Sequence, residues 1–231
     1  MEHGRGAVPD MSRPEAGVTL LSEWVAVAGR QRRAADAVVG SWALGRWPAG
    51  LLSRSCLLDA DGPWVAQLSQ WADDDAARAY TAVSEPRLAR GVTEAVPGTE
   101  WTGTVPYLRC RSRQFGLRRI PGCIVLVGRE FETPDTVRAR RWVDAMFALP
   151  ASDPPPGLIS THFHVSVDGA RVLNYVEWTS HDEHRAAASQ APDAGAVHPS
   201  FREIETWPGL RRTTVRRFTP HRHTSGPSRH G

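Results

Sequence analysis

GLLSRSCLLDADGPWVAQLSQWADDDAARAY (Gly50–Tyr80) and GLISTHFHVSVDGARVLNYVEWTSHDEHRAA (Gly157–Ala187) are one supersecondary unit written twice. They align without a gap at an offset of 107 residues, with 10 of 31 positions identical, where chance would give roughly 2. The shared residues punctuate structure: Gly50/Gly157, Asp61-Gly62/Asp168-Gly169, Trp71/Trp178 and Arg78/Arg185. Self-similarity at a fixed offset marks a tandem duplication. Where the copies agree, fold is the cheaper explanation; where they differ, function can have been divided.

Outward from these stretches, both halves give the same order of elements. In the second, Cys123–Phe131 is an apolar run fit for a buried strand. Thr133-Pro134-Asp135 then opens a helix to about Ala148, with Thr133 as N-cap. Leu158–Val167 and Ala170–Trp178 form a hairpin turned at Asp168-Gly169. A helix follows from Ser180 to about Gln190, a short one near Ser200–Thr206, and a last strand over Leu210–Phe218. The first half repeats this: strand Val18–Val27, helix Gln31–Arg46, and a hairpin of Leu51–Leu58 with Trp64–Trp71. Two helices, Asp73–Ala82 and Glu85–Val96, and a strand near Thr104–Arg111 complete it.

Strand-helix-strand-strand-helix-strand is a ferredoxin-like α+β unit. Its sheet carries helices on one face only, so the other face needs a partner. The expected fold is therefore α+β, two ferredoxin-like repeats packed sheet to sheet as a pseudo-dimeric barrel. The expected boundaries are a disordered tail over 1–16, a mainly structural first repeat over 17–112 and a linker over 113–121. The second repeat, with the pocket, takes 122–219, and a basic disordered tail takes 220–231.

Hydrophobic content of 41% and charged content of 23% are ordinary for a globular chain. No run approaches the ~18 apolar residues of a membrane span, and the start lacks the apolar core of a secretory signal. Cys56, Cys110 and Cys123 are odd in number and without metal-type spacing, which points to reduced thiols in a cytoplasm. All 28 basic residues are Arg, which reads as codon bias rather than selection for phosphate contacts, so neither nucleic acid nor membrane is an expected partner.

Strand Arg171–Trp178 places Val172, Asn174, Val176 and Trp178 on one face and Arg171, Leu173, Tyr175 and Glu177 on the other. An amide and an indole N–H about 13 Å apart on an otherwise apolar face make a platform for a flat, oxygenated ligand. The same pattern suits a Trp that only fills the core, as Trp71 in the other repeat suggests. His184 follows on the next helix, and His162 and His164 alternate on strand two as pocket lining. Arg202 either bridges locally or points a positive charge into a cavity. Phosphate loops, nucleophile elbows, HExxH, CxxC and flavin or nicotinamide motifs are absent. An enzyme of this sequence is expected to work without those cofactors.

Gly157–Ser160, His164–Gly169 and Val172–Ser180 carry the pattern G-[FL]-[LI]-S, H-x-S-x-D-G and V-[VL]-N-Y-x-x-W-x-S. This resembles the antibiotic biosynthesis monooxygenase family of dimeric α+β barrels, and within it the small anthrone oxygenases of aromatic polyketide pathways. The weaker first half fits too, so the resemblance spans about residues 17–218. It implies oxidation of an anthrone to a quinone, with O2 as co-substrate and no cofactor, whether flavin, haem or metal. The family's Asn and Trp fall on Asn174 and Trp178, its pocket Arg on or beside Arg202, and its pocket Tyr on His184. In the first repeat Trp71 matches, Gln67 replaces the Asn, Ala77 stands at the Tyr position and Arg90 is a rough match for the Arg. The expected working pocket is thus in the second half, with Val172, Val176, His162 and His164 lining the substrate. A polyketide cyclase, a haem-degrading enzyme and a non-catalytic polyketide-binding partner are the rival readings. The implied partner is a small aromatic polyketide, and a homodimer of fused chains stays open.

Overall fold

The computed structural model describes residues 8–43, 46–116, 119–149, 154–190 and 203–226. Twelve elements follow in chain order: β1 (Val18–Val25), α1 (Gln31–Ser41), β2 (Leu51–Asp59), β3 (Trp64–Trp71), α2 (Asp74–Ala95) and β4 (Glu100–Gln114). The second set is β5 (Cys123–Phe131), α3 (Thr136–Ala148), β6 (Leu158–Ser166), β7 (Arg171–Trp178), α4 (His181–Gln190) and β8 (Leu210–Ser225). The hydrogen-bonded order is β1-β3-β2-β8-β5-β7-β6-β4, and it closes into a barrel. The α+β class with two ferredoxin-like repeats is as expected. The chain divides into an N-terminal unit (Met1–Pro106 with Phe218–Gly231) and a C-terminal unit (Tyr107–Arg217). No helix among the described residues is long and apolar enough to cross a membrane.

In the N-terminal unit β3 pairs antiparallel with β1 and β2, with Gln67 between Ser22 and Cys56. Alternation along these strands sends Ser22, Trp24, Cys56, Val65 and Gln67 to the side covered by α1 and α2. Trp24, Ala34, Ala35, Val38, Cys56, Val65 and Val92 form the core there. Helix α2 runs unbroken through Pro86, where two helices were expected. Proline forfeits one backbone bond, but Tyr80 and Glu85 before it and Ala89 and Val92 after it are all buried. Burial on both sides outweighs that single loss.

Described residues in both segments expected as tails are held by the fold. Met11, in the segment read as a tail, is 2% exposed, and Gln70 Nε2 donates to the Asp10 carbonyl at 2.9 Å. Strand β8 reaches Ser225 and pairs with β2 from Ser53↔Ser225 to Asp59↔Phe218. Residues 220–225, expected as disordered tail, are therefore strand. Two tail histidines have structural partners: His221 Nε2 lies 2.8 Å from Asp36 Oδ1, and His223 Nδ1 lies 2.8 Å from Ser55 Oγ.

In the C-terminal unit β7 lies between β5 and β6, with Asn174 opposite Val127 on one side and Phe163 on the other. Helix α3 is capped by Asp135, whose Oδ1 accepts from Arg138 N at 3.0 Å. Thr133, the expected cap, instead accepts a hydrogen bond from the Arg138 guanidinium. The repeated glycine that opens each hairpin has a physical cause. Gly157 has φ +84°, and a Cβ there would lie 2.5 Å from Glu183 Cβ; Gly50 has φ +76° and would meet Ala76 Cβ at 2.7 Å. Only glycine permits both the backbone angle and the approach of the following helix.

Candidate functional site

Strand alternation sets the helix-covered face of the C-terminal sheet. Trp178, Val176, Cys123 and Val125 pack with Leu158 and Ala187, while Val172 joins Phe163, Trp142 and Val143 further along. Asn174 sits between these two groups on the same face and is half-buried. Thr161 Oγ1 donates to Asn174 Oδ1 at 2.6 Å. With the amide oxygen engaged, the Asn174 NH2 is the end left for another acceptor.

Trp178 is 6% exposed, and its Nε1 has no hydrogen-bond partner among the described residues. A buried N–H left unbonded costs about 1–3 kcal/mol, which a ligand oxygen would recover. The equivalent Trp71 is different: its Nε1 donates to Ser69 Oγ at 2.9 Å. Position 69 of the first repeat corresponds to Val176 of the second. One serine-to-valine difference therefore leaves the second indole N–H open.

His184 lies on α4 with its ring edge-on to Trp178, centroids 5.1 Å apart at 76°. The structure thus brings Asn174, Val176, Trp178 and His184 to one face, with Val172 further along. It does not bring His162 and His164 there. Their β7 neighbours are Tyr175 and Leu173, on the face opposite Asn174, because residues of one strand alternate sides. The expected lining set is split by the sheet.

That opposite face holds a network of its own. Ser160 Oγ donates to Glu177 Oε2 at 2.7 Å. It therefore accepts from His162 Nε2 at 2.9 Å, and His162 Nδ1 lies 3.0 Å from Ser112 Oγ. His164 is buried, and burial together with neighbouring His162 pushes its pKa down to about 3. Arg202 lies outside the described residues. Among the described residues no group of three or more His, Cys, Asp or Glu could hold a metal ion.

Two buried cations escaped the sequence reading. Arg129 on β5 is 9% exposed and pairs with Val172, hence shares Asn174's face. Its Nε and Nη1 have no partners among the described residues, and it stacks 5.5 Å from the Trp142 ring centroid. Arg54 on β2 is 5% exposed. Neither motif nor spacing marks them; an Arg inside a strand that otherwise alternates inward was the available signal.

The N-terminal unit also has a counterpart for the Trp178–His184 contact. Tyr80 packs on Trp71 at 4.9 Å between centroids. It stands three residues beyond Ala77, the position aligned with His184, and so lies on the same side of the helix one turn on. Arg90, the rough match for the family's Arg, is exposed on α2.

No family model and no curated protein matches the chain. Solved structures do share its fold. An anthrone oxidase-like protein superposes with a TM-score of 0.71 at 13% identity, over 96% of this chain and 95% of that one. A Fusobacterium nucleatum protein with a provisional monooxygenase name gives 0.59 at 6% identity, over 92% and 96%. One from Lactobacillus acidophilus, also provisionally a monooxygenase, gives 0.52 at 12%, over 90% and 96%. The chain has the fold of these proteins along nearly its whole length.

Proposed function

We propose that the protein is a cofactor-independent monooxygenase that oxidises an anthrone-type aromatic polyketide intermediate to a quinone with O2. The observation that carries this reading is the open Trp178 indole N–H on the face that also presents the Asn174 amide. The fold shared with an anthrone oxidase-like protein and two monooxygenase-named proteins supports it.

Ground-state O2 reacts slowly with closed-shell molecules because spin must change. An anthrone evades this when it loses one carbon-bound proton, since the resulting electron-rich anion can pass an electron to O2. Recombination at carbon and protonation give a hydroperoxide, and loss of water leaves the new carbonyl. One oxygen atom enters the quinone and the other leaves as water. The protein needs to hold the flat substrate, favour its anion and manage two proton transfers.

The Asn174 NH2 and Trp178 Nε1 donate to separate oxygens of the flat substrate, steadying the negative charge that develops over its conjugated system. His184, edge-on to Trp178, exchanges the protons. Val172 and Val176 supply apolar contact for the rings. Arg202 is assigned by resemblance to steady the anion, and Arg129 is the buried cation on the same face. Oxygen uptake on adding dithranol, 1,8-dihydroxyanthrone, tests the reading; absence of uptake opposes it.

A further inference from the structure

Away from that face, the group least accounted for is Arg54. It is 5% exposed, forms no ion pair among the described residues, and its Nε has no hydrogen-bond partner there. A guanidinium does not escape by losing its proton at any pH where proteins fold. A buried charge without a counter-charge is strongly unfavourable. The fold itself does not ask for this residue, because the second repeat has Thr161 at the same position.

We propose that the helix-covered face of the N-terminal unit is a second ligand site, which receives an aromatic carboxylate on the Arg54 guanidinium. The Trp47 and Tyr80 rings lie 5.7 and 5.5 Å from its carbon. These cation–π contacts are to ring faces and supply no acceptor to the guanidinium N–H groups, so the N–H edge remains for recognition. That edge is a planar fork matched to a carboxylate.

The nearby acid does not serve as counter-ion. Glu85 Oε1 accepts from the Ser22 and Thr104 hydroxyls, and burial raises the pKa of Glu85, favouring its neutral form. The Gln67 Oε1 is likewise engaged, accepting from Trp42 Nε1 at 2.7 Å. The Tyr80 hydroxyl is buried beside Gln67 without a hydrogen bond of good geometry. An anion carrying one charge and a flat apolar body answers this set: one cation, a spare hydroxyl, and the rings of Trp47, Tyr80 and Trp71. A phosphate dianion would need more positive charge than one Arg supplies.

The test is calorimetric titration with anthraquinone-2-carboxylate and its neutral carboxamide. The carboxylate is expected to bind the wild-type chain at least tenfold more tightly than the amide. Arg54→Met removes the charge at similar length and is expected to lose at least tenfold in carboxylate affinity, with Arg54→Lys in between. Trp178→Phe should leave that affinity within twofold, and Arg54→Met should still consume O2 with dithranol, which separates this site from the proposed catalytic one. Equal carboxylate affinity in wild type and Arg54→Met overturns the proposal, as does no carboxylate binding by wild type, or its loss in Trp178→Phe. Should Arg54→Met not fold, the carboxylate-to-amide ratio in wild type and Arg54→Lys decides: unchanged ratios near one contradict the site.

Discussion

Trp71 Nε1 donates to Ser69 Oγ at 2.9 Å, a bond the second repeat cannot form because Val176 stands where Ser69 does in the first. The duplicated tryptophan is thereby satisfied in one copy and open in the other. Two indoles with the same place in the fold have different hydrogen-bonding duties.

Restoring the internal bond should silence the second indole. Val176→Ser is expected to lower turnover of dithranol by up to about 10²-fold, the scale of losing one aimed donor. Ser69→Val should leave turnover nearly unchanged. Oxygen-uptake rates of the two variants measure this directly, and equal losses would place no special duty on Trp178.

Asn174 depends on Thr161 for its orientation. Asn174→Ala and Trp178→Phe are expected to cost about 10²-fold or more in kcat, whereas Gln67→Ala and Trp71→Phe cost far less. Thr161→Val frees the amide to rotate and should give an intermediate loss, with Thr161→Ser close to wild type. Steady-state kinetics of the set would show whether the loss follows the donor or merely the packing.

His184 touches Trp178 through its ring edge, so removal and replacement should differ. His184→Ala is expected to lose roughly 10²-fold in kcat, within the range for a general acid–base. His184→Tyr, which restores the residue of the resembled family, should keep most of the activity. A limb of the pH–rate profile that disappears in His184→Tyr would identify the proton carrier.

Two buried titrating groups bend the pH dependence of stability in opposite directions. His164 has its pKa lowered to about 3 by burial and by His162, so between that value and its ordinary one near 6.5 the unfolded chain binds the extra proton. Stability is then lost as pH falls through this window, by about 1.4 kcal/mol per pH unit at most. Glu85 has its pKa raised by burial, so the folded chain holds the extra proton and stability falls as pH rises past the ordinary carboxyl range. Glu85→Gln keeps an oxygen to accept from Ser22 and Thr104 and should flatten the upper limb only. Denaturant midpoints across pH for the two proteins check this; parallel curves would contradict it.

Much of the fold was readable because the duplication repeats its punctuation. Gly50 and Gly157 carry the positive φ that their hairpin entries need, and period-2 alternation placed Asn174 and Trp178 on one face. What stayed hidden depends on contacts between elements. Alternation says that His162 and His164 share a side but not that this side is opposite Asn174, which only the register Phe163↔Asn174 fixes. A fixed offset pointed to Ala77 and missed Tyr80, since a helix offers the next turn as an equal neighbour. Pro86 suggested a break that burial on both sides overrides. The polar, Arg-rich end of the chain resembled a tail, yet pairing with β2 makes it a strand.

The most direct measurement is incubation of the purified protein with dithranol under 18O2, followed by mass spectrometry of the product. The account predicts 1,8-dihydroxyanthraquinone carrying one heavy oxygen atom, formed at a rate that collapses in Trp178→Phe and vanishes without O2. A product formed equally well under nitrogen, or a quinone whose labelling rate is the same with and without protein, would contradict it.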